Sequence, residues 1–503
     1  MDASSPSVSH ASPSELDAYR LEADRFLSAL EDETYRHYAG LKDRLELEPI
    51  YERHAELTEL ERVRAIGAAV EDRRDVRELW RFACQTYLSE LTRSQEERVA
   101  AAEAELTTTI DGRTIPFRML EPEIANEPDR AVRERMDERR RTLLDEHLNP
   151  LYVESAALVR GAVPQLGAPT YLDLHRAFGL PLDRLADECR ELLEETRSLW
   201  ETAGDRLLRT RAGVGLAEAK RWDVARAFRA PQWDASFPRD GMLPALDATL
   251  TDLGIELGRQ ENIALDVEQR PTKTPRAYCF PIDVPGRIVL MIQPQGGPWD
   301  WHSLFHEAGH SEHFAHMAPD LAFEHRRLGD DAVTEGWAFL FDHLVAEPAW
   351  LRRRLDVPRP DEYAAESAAE LLYFVRRYAA KLLYELELHS SSGDVEALRP
   401  RYAELLGDAL GVEPSAENFL ADVDSGFYVS AYLRAWALEA QLHWFLREEL
   451  GNEWFRRRVA GSLLRELWSL GQKPTADELL RDLMGAPVEL SAIAERIRER
   501  LRY

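Results

Sequence analysis

His306, Glu307 and His310 stand in the order His-Glu-x-x-His. Positions four apart share one face of a helix, so both imidazoles can point at a single ion. Zinc takes imidazole nitrogens at about 2.0–2.1 Å, and a catalytic site keeps one position open for water. Glu307 follows the first histidine directly, so it flanks such an ion without having to bind it. A carboxylate there can take a proton from water as the water attacks a carbonyl. The pattern is short, and the bland alternative is a helix carrying two ordinary histidines beside a solvated glutamate.

A third ligand is available downstream. In the run 331–341, Val333, Trp337, Leu340 and the nearby Leu344 form an apolar stripe at helical spacing, leaving Glu335 on another face. An unpaired charge in so apolar a neighbourhood is costly, and the two histidines lack a third partner. Glu335 is therefore expected to complete the metal set. Asp331 and Asp342 flank it along the same helix. Either could orient a ligand histidine, although a helix cap is the simpler reading of Asp331. With three ligands assigned, His302 is read as a bystander.

Several elements must position these groups. Gly297-Pro298 and Asp300 suggest a helix start, Trp301, Leu304, Phe305 and Ala308 supply its apolar face, and Pro319 a stop. Ahead of it, residues 262–267, 276–280 and 287–292 are strand-like, the last two flanking a Val284-Pro285-Gly286 turn. That places a hairpin beside the metal helix, where an exposed strand edge could hold an extended peptide.

Residues 15–106 read as successive amphipathic helices. A hairpin follows at 107–117 around Asp111-Gly112, and helices resume from about residue 123 to 208, interrupted at 164–169. The provisional division is a flexible Ser/Pro-rich tail at 1–14, an N-terminal helical part at 15–205 and a catalytic part at 206–503, folding as one cooperative unit.

The 503 residues carry 63 Lys and Arg against 91 Asp and Glu, a formal charge of −28. Phosphate binding needs clustered positive charge, so no nucleic-acid partner is expected. The acidic excess reads first as solubility, and second as a preference for basic substrates. Cys84, Cys189 and Cys279 are odd in number and far apart, which points to free thiols in a reducing compartment. The N-terminus has no apolar core of a signal peptide, and no run of about 18 apolar residues occurs. A cytoplasmic protein without a membrane partner is the expectation.

The run 300–313 resembles the motif of the thimet oligopeptidase and oligoendopeptidase F family, in which His-Glu-x-Gly-His is followed by another histidine, here Gly309 and His313. In that family the third zinc ligand is a glutamate about 25 residues after the second histidine, and Glu335 stands 25 after His310. The strand at 276–280 is similar to the family's substrate-lining strand. The run 426–432 resembles its tyrosine-rich segment, whose phenols stabilise the oxyanion. Tyr428 and Tyr432 match, Ser430 replaces the middle tyrosine, and Asp422 stands where a histidine is usual. Without the family, Tyr428, Tyr432 and Trp436 are a four-residue-spaced aromatic stripe that serves either a core or a hydrogen bond to a carbonyl oxygen.

The resemblance is sharpest between residues 270 and 445. It implies a mainly α-helical fold, two helical lobes around a deep channel, with a small antiparallel β-sheet next to the zinc-binding helix. It also implies one zinc per chain held by His306, His310 and Glu335, Glu307 as general base, and Tyr428 and Tyr432 as oxyanion donors. Short peptides would be the substrates. Two alternatives stay open: a carboxypeptidase of related helical architecture, such as those akin to angiotensin-converting enzyme, and a catalytically weak zinc-binding protein that only binds peptides. The ligand set also suits manganese or cobalt.

Overall fold

Ser12 and Glu15 exchange hydrogen bonds at the start of a 26-residue helix, Pro13–Tyr38. This reciprocal cap satisfies amides that a helix start leaves unpaired. The computed structural model describes residues 10–274, 276–390 and 393–502. The stretch read as a tail thus already contains a capped helix start, and its first nine residues lie outside the described residues.

Glu48–Arg53, Leu60–Ala68 and the long Arg74–Glu105 helix follow, and Leu16, Tyr19, Phe26, Leu79 and Phe82 close an N-terminal apolar cluster. Thr107–Ile110 and Arg113–Pro116 form the expected hairpin, Ile110 opposite Arg113. Asp111 and Gly112 between them have φ of 50° and 82°, the left-handed pair that such a two-residue turn requires. Helices resume sooner than the sequence suggests, at Phe117–Asn126, with Pro122 inside. Position 205 lies within the helix Arg197–Ala212, and the largest apolar cluster runs from Leu172 to Ile497.

The sheet beside the site holds one strand more than a hairpin. Tyr278–Asp283 pairs antiparallel with Arg287–Met291, as expected, and Ile263–Asp266 joins the other side of Arg287–Met291 in parallel register. The sheet is therefore mixed. The central strand is buried on both faces from Ile288 to Met291, which suits its apolar run.

Three helices carry the candidate residues. Pro298–Ala315 holds the histidines, Asp331–Asp342 holds Glu335, and Tyr428–Leu450 holds the tyrosines. The middle helix is buried from Ala332 to Phe341, sandwiched between the other two. Two glycines permit that closeness. A Cβ at Gly309 would sit 2.6 Å from Ala338 Cα and 2.7 Å from Trp337 O, and one at Gly336 would sit 2.5 Å from a Leu438 methyl.

Asp330, not Asp331, caps the middle helix: its carboxylate accepts from Ala332 N at 3.2 Å, and Arg434 holds it by a two-pronged salt bridge. Asp300 does not cap the motif helix. It reaches back to accept from the amides of Gln295 and Gly296, fixing the entering loop, while Gly297 takes the cap position. Among the described residues, no helix is long and apolar enough to cross a membrane.

Candidate metal centre

One turn of helix separates His306 from His310, and their rings lie 4.9 Å apart, edge to face. The buried helix behind them delivers Glu335 to the same point. Its Oε2 is 3.4 Å from His306 Nε2 and 3.7 Å from His310 Nε2. One ligand atom from each residue lies within 4.8 Å of the others. Glu335 Oε2 is buried and has no hydrogen-bond partner. An orphaned carboxylate oxygen facing two imidazole nitrogens is a donor set that a divalent cation would satisfy, and the ligand types suit zinc.

The outer atoms of the three residues are held in place. His310 Nδ1 bonds Thr334 Oγ1 at 2.9 Å, and His306 Nδ1 is 3.5 Å from Asp342 Oδ2. The other Asp342 oxygen takes His302 Nδ1 at 2.5 Å, and His302 Nε2 meets the Tyr363 hydroxyl at 3.0 Å. His302 is thus no spare ligand; it anchors the aspartate behind His306. The Tyr428 hydroxyl donates to Glu335 Oε1 at 2.6 Å. Such outer partners set ring orientation and ligand basicity.

Glu307 reaches the sheet beside the cluster. Its Oε2 accepts the backbone N–H of Cys279 at 2.8 Å. Burial pushes its carboxyl up to about 7, the neighbouring Glu335 adding to the rise. Burial would raise Glu335 likewise, yet the two imidazoles and the Tyr428 hydroxyl outweigh it and hold that carboxyl at about 2. The two glutamates are therefore shifted in opposite directions, Glu307 upward and Glu335 downward.

Tyr432 sits one turn beyond Tyr428 and is not hydrogen-bonded to the cluster. Its ring packs on Tyr428, Tyr378 and Phe339 at centroid distances of 5.1, 5.5 and 6.0 Å. Asp422, at the place of the family's histidine, bonds the Tyr402 hydroxyl at 2.7 Å and pairs with Arg377. His313 is fully buried against Trp337 and Phe314, and burial lowers it to about 3. Asp331 lines the cavity beside the cluster, with Arg81 at 3.6 Å.

That cavity measures about 300 Å³ and is lined by Glu307, His310 and Glu335, by Leu27 and Glu31 of the first helix, and by Cys279 and Pro281 of the strand Tyr278–Asp283. Several polar groups of this strand are already engaged: the Cys279 amide holds Glu307, and Arg327 takes the carbonyls of Pro281 and Ile282.

Thr334, Cys279 N–H and Glu31 were not singled out from the sequence. A threonine inside an apolar helix carries a weak signal, namely its place one residue before the ligand glutamate. A backbone amide and a residue from a distant helix carry none.

No protein-family model matches the chain, and no curated protein matches it. A solved structure does: the crystal structure of a Bacillus anthracis str. Ames protein provisionally named an oligoendopeptidase F. The TM-score is 0.63 at 15 % identity, over 98 % of this chain and 86 % of that one. The likeness is one of fold, extends over nearly the whole chain, and includes the mainly helical architecture with its small sheets.

Proposed function

We propose that this chain, folded as that oligoendopeptidase-like protein is folded, is a metal-dependent peptidase that hydrolyses short peptides. The observation that carries the reading is the convergence of His306, His310 and the unpartnered Glu335 oxygen on one point, with Glu307 beside them. His306, His310 and Glu335 would hold the ion, zinc being the best fit to two imidazoles and a carboxylate. When bound, the ion supplies Lewis-acid activation of water and of the scissile carbonyl.

The chain's own groups account for the rest. Asp342 and Thr334 fix the two rings, so the nitrogens that face Glu335 are the Nε2 atoms. Glu307, steadied by Cys279 N–H, accepts a proton from the attacking water and returns it to the leaving nitrogen. A carboxyl pushed up to about 7 can do both near neutral pH. Tyr428, already hydrogen-bonded to Glu335, can donate to the oxygen on which negative charge builds. Tyr432 supports Tyr428 through ring contact.

Metal content measured beside cleavage of a mixed peptide library tests the reading. Wild type should hold metal and cut peptides; Glu307→Gln should hold the same metal and lose turnover by several orders of magnitude. Near-normal cleavage by Glu307→Gln would remove Glu307 from the mechanism.

A further inference from the structure

The cavity has a wall that the reaction outlined above does not use. Asp24, Ser28 and Glu31 follow one another along a single face of the Pro13–Tyr38 helix, the face turned toward the sheet and the cluster. The first two have partners. Arg326 bonds Asp24 at 3.2 Å, and Arg327 bonds Asp24 at 3.0 Å and Ser28 Oγ at 2.9 Å.

Both arginines also bind backbone: Arg327 donates to the carbonyls of Pro281 and Ile282, and Arg326 to the carbonyls of Val284 and Leu321. They stitch the first helix to the strand that lines the cavity. Glu31, one turn on, lines the same cavity as both arginines but has, among the described residues, no hydrogen bond and no ion pair. Burial pushes its carboxyl up to about 7 against the pull of Arg327.

The other acids of the cavity are spoken for. Glu307 holds an amide, Glu335 faces the histidines and Tyr428, and Asp331 lies 3.6 Å from Arg81. Among the described residues Glu31 is therefore the acid of this cavity without a hydrogen bond or ion pair, and it is near enough to Cys279 to raise its thiol further. A carboxylate lining the cavity without a protein partner is open to a cation from outside.

We propose that Glu31 is a specificity residue that receives a cationic group of the substrate, an ammonium or guanidinium carried close to the bond that is cut. This rests on the peptidase reading and deepens it: the favoured substrates are peptides with positive charge beside the scissile bond. The charge has two possible sources, the free N-terminus and a Lys or Arg side chain, and both offer the same chemistry to Glu31.

Four versions of one short peptide separate them: lysine or norleucine at the varied position, each with a free or an acetylated N-terminus. Binding is measured by calorimetry to zinc-loaded Glu307→Gln and to zinc-loaded Glu307→Gln/Glu31→Gln, with kcat/KM of wild type and Glu31→Gln in parallel. Glu31→Gln should weaken the cationic peptides about tenfold and leave the doubly neutral one unchanged. Sensitivity to acetylation assigns the N-terminus, and sensitivity to norleucine the side chain. Equal loss for all four peptides, or no loss for any, overturns the proposal. If wild type cuts the peptides but Glu31→Gln does not alter their ranking, only this inference falls. If nothing is cut and the charge-dependent binding remains, the cation site stands and the peptidase reading falls.

Discussion

The Tyr428 hydroxyl donates to Oε1 of Glu335 at 2.6 Å, while Oε2 of the same carboxylate lies 3.4 and 3.7 Å from the ring nitrogens of His306 and His310. One carboxylate thus links the tyrosine helix to the histidine helix. On the proposed mechanism the phenol would have two uses: it would orient the Glu335 carboxylate as a ligand, and it would donate to the substrate carbonyl oxygen. Tyr428→Phe should weaken metal binding about tenfold and lower kcat of the metal-saturated protein about a hundredfold. Tyr432→Phe, which removes a hydroxyl from an aromatic cluster, should change kcat only a few-fold. Chelator competition and steady-state kinetics on both variants check this; the reverse order of severity would shift the donor role to Tyr432.

Gly309 sits where the motif helix touches the helix of Glu335. A Cβ there would lie 2.6 Å from Ala338 Cα and 2.7 Å from Trp337 O, and neither backbone atom can move alone. Gly309→Ala should therefore push the helices apart, costing about 1–3 kcal/mol of stability and separating Glu335 from the histidines. A denaturant midpoint that falls together with metal affinity is the expected result. Unchanged stability with full metal affinity would show that the contact is not needed.

Acid should destabilise the fold in two stages. His175 is buried and its pKa is lowered by burial to about 4, so below about 6.5 the unfolded chain binds a proton that the folded chain refuses. Stability from this group is lost as pH falls from about 6.5 toward 4. Glu439 works lower down. Burial would raise it, but Arg496 and the His343 imidazole outweigh that and hold it at about 2. Its contribution is complete above the unfolded value near 4.5 and disappears as pH falls toward 2. Urea midpoints measured from pH 7 to pH 3 should fall throughout and more steeply below 4.5; a flat profile would contradict both assignments.

The candidate metal-binding group His306, His310 and Glu335 was legible because helical periodicity alone puts His306 and His310 on one face, and because Glu335 interrupts an apolar run. The hairpin beside the motif helix was legible from its apolar strands and the Val284-Pro285-Gly286 turn. Three things were not. The parallel strand Ile263–Asp266 joins the sheet through pairing that no local pattern encodes. The Asp300 carboxylate turns back onto the loop because the amides of Gln295 and Gly296 reach it there. The partners of the candidate site residues, Thr334 on His310 and Cys279 N–H on Glu307, exist only once helix and sheet have docked. Glu31 belongs to the same class, a residue whose position is set by tertiary packing across more than half the chain.

Whether two distant segments make one metal site is decided most directly by Glu335→Ala. Metal analysis of the purified wild type, loaded with zinc and dialysed against a weak chelator, should give one equivalent per chain. Glu335→Ala treated in the same way should retain almost none while keeping its helical circular dichroism. A Glu335→Ala protein that holds a full equivalent as tightly as wild type would contradict the three-ligand centre and the mechanism built on it.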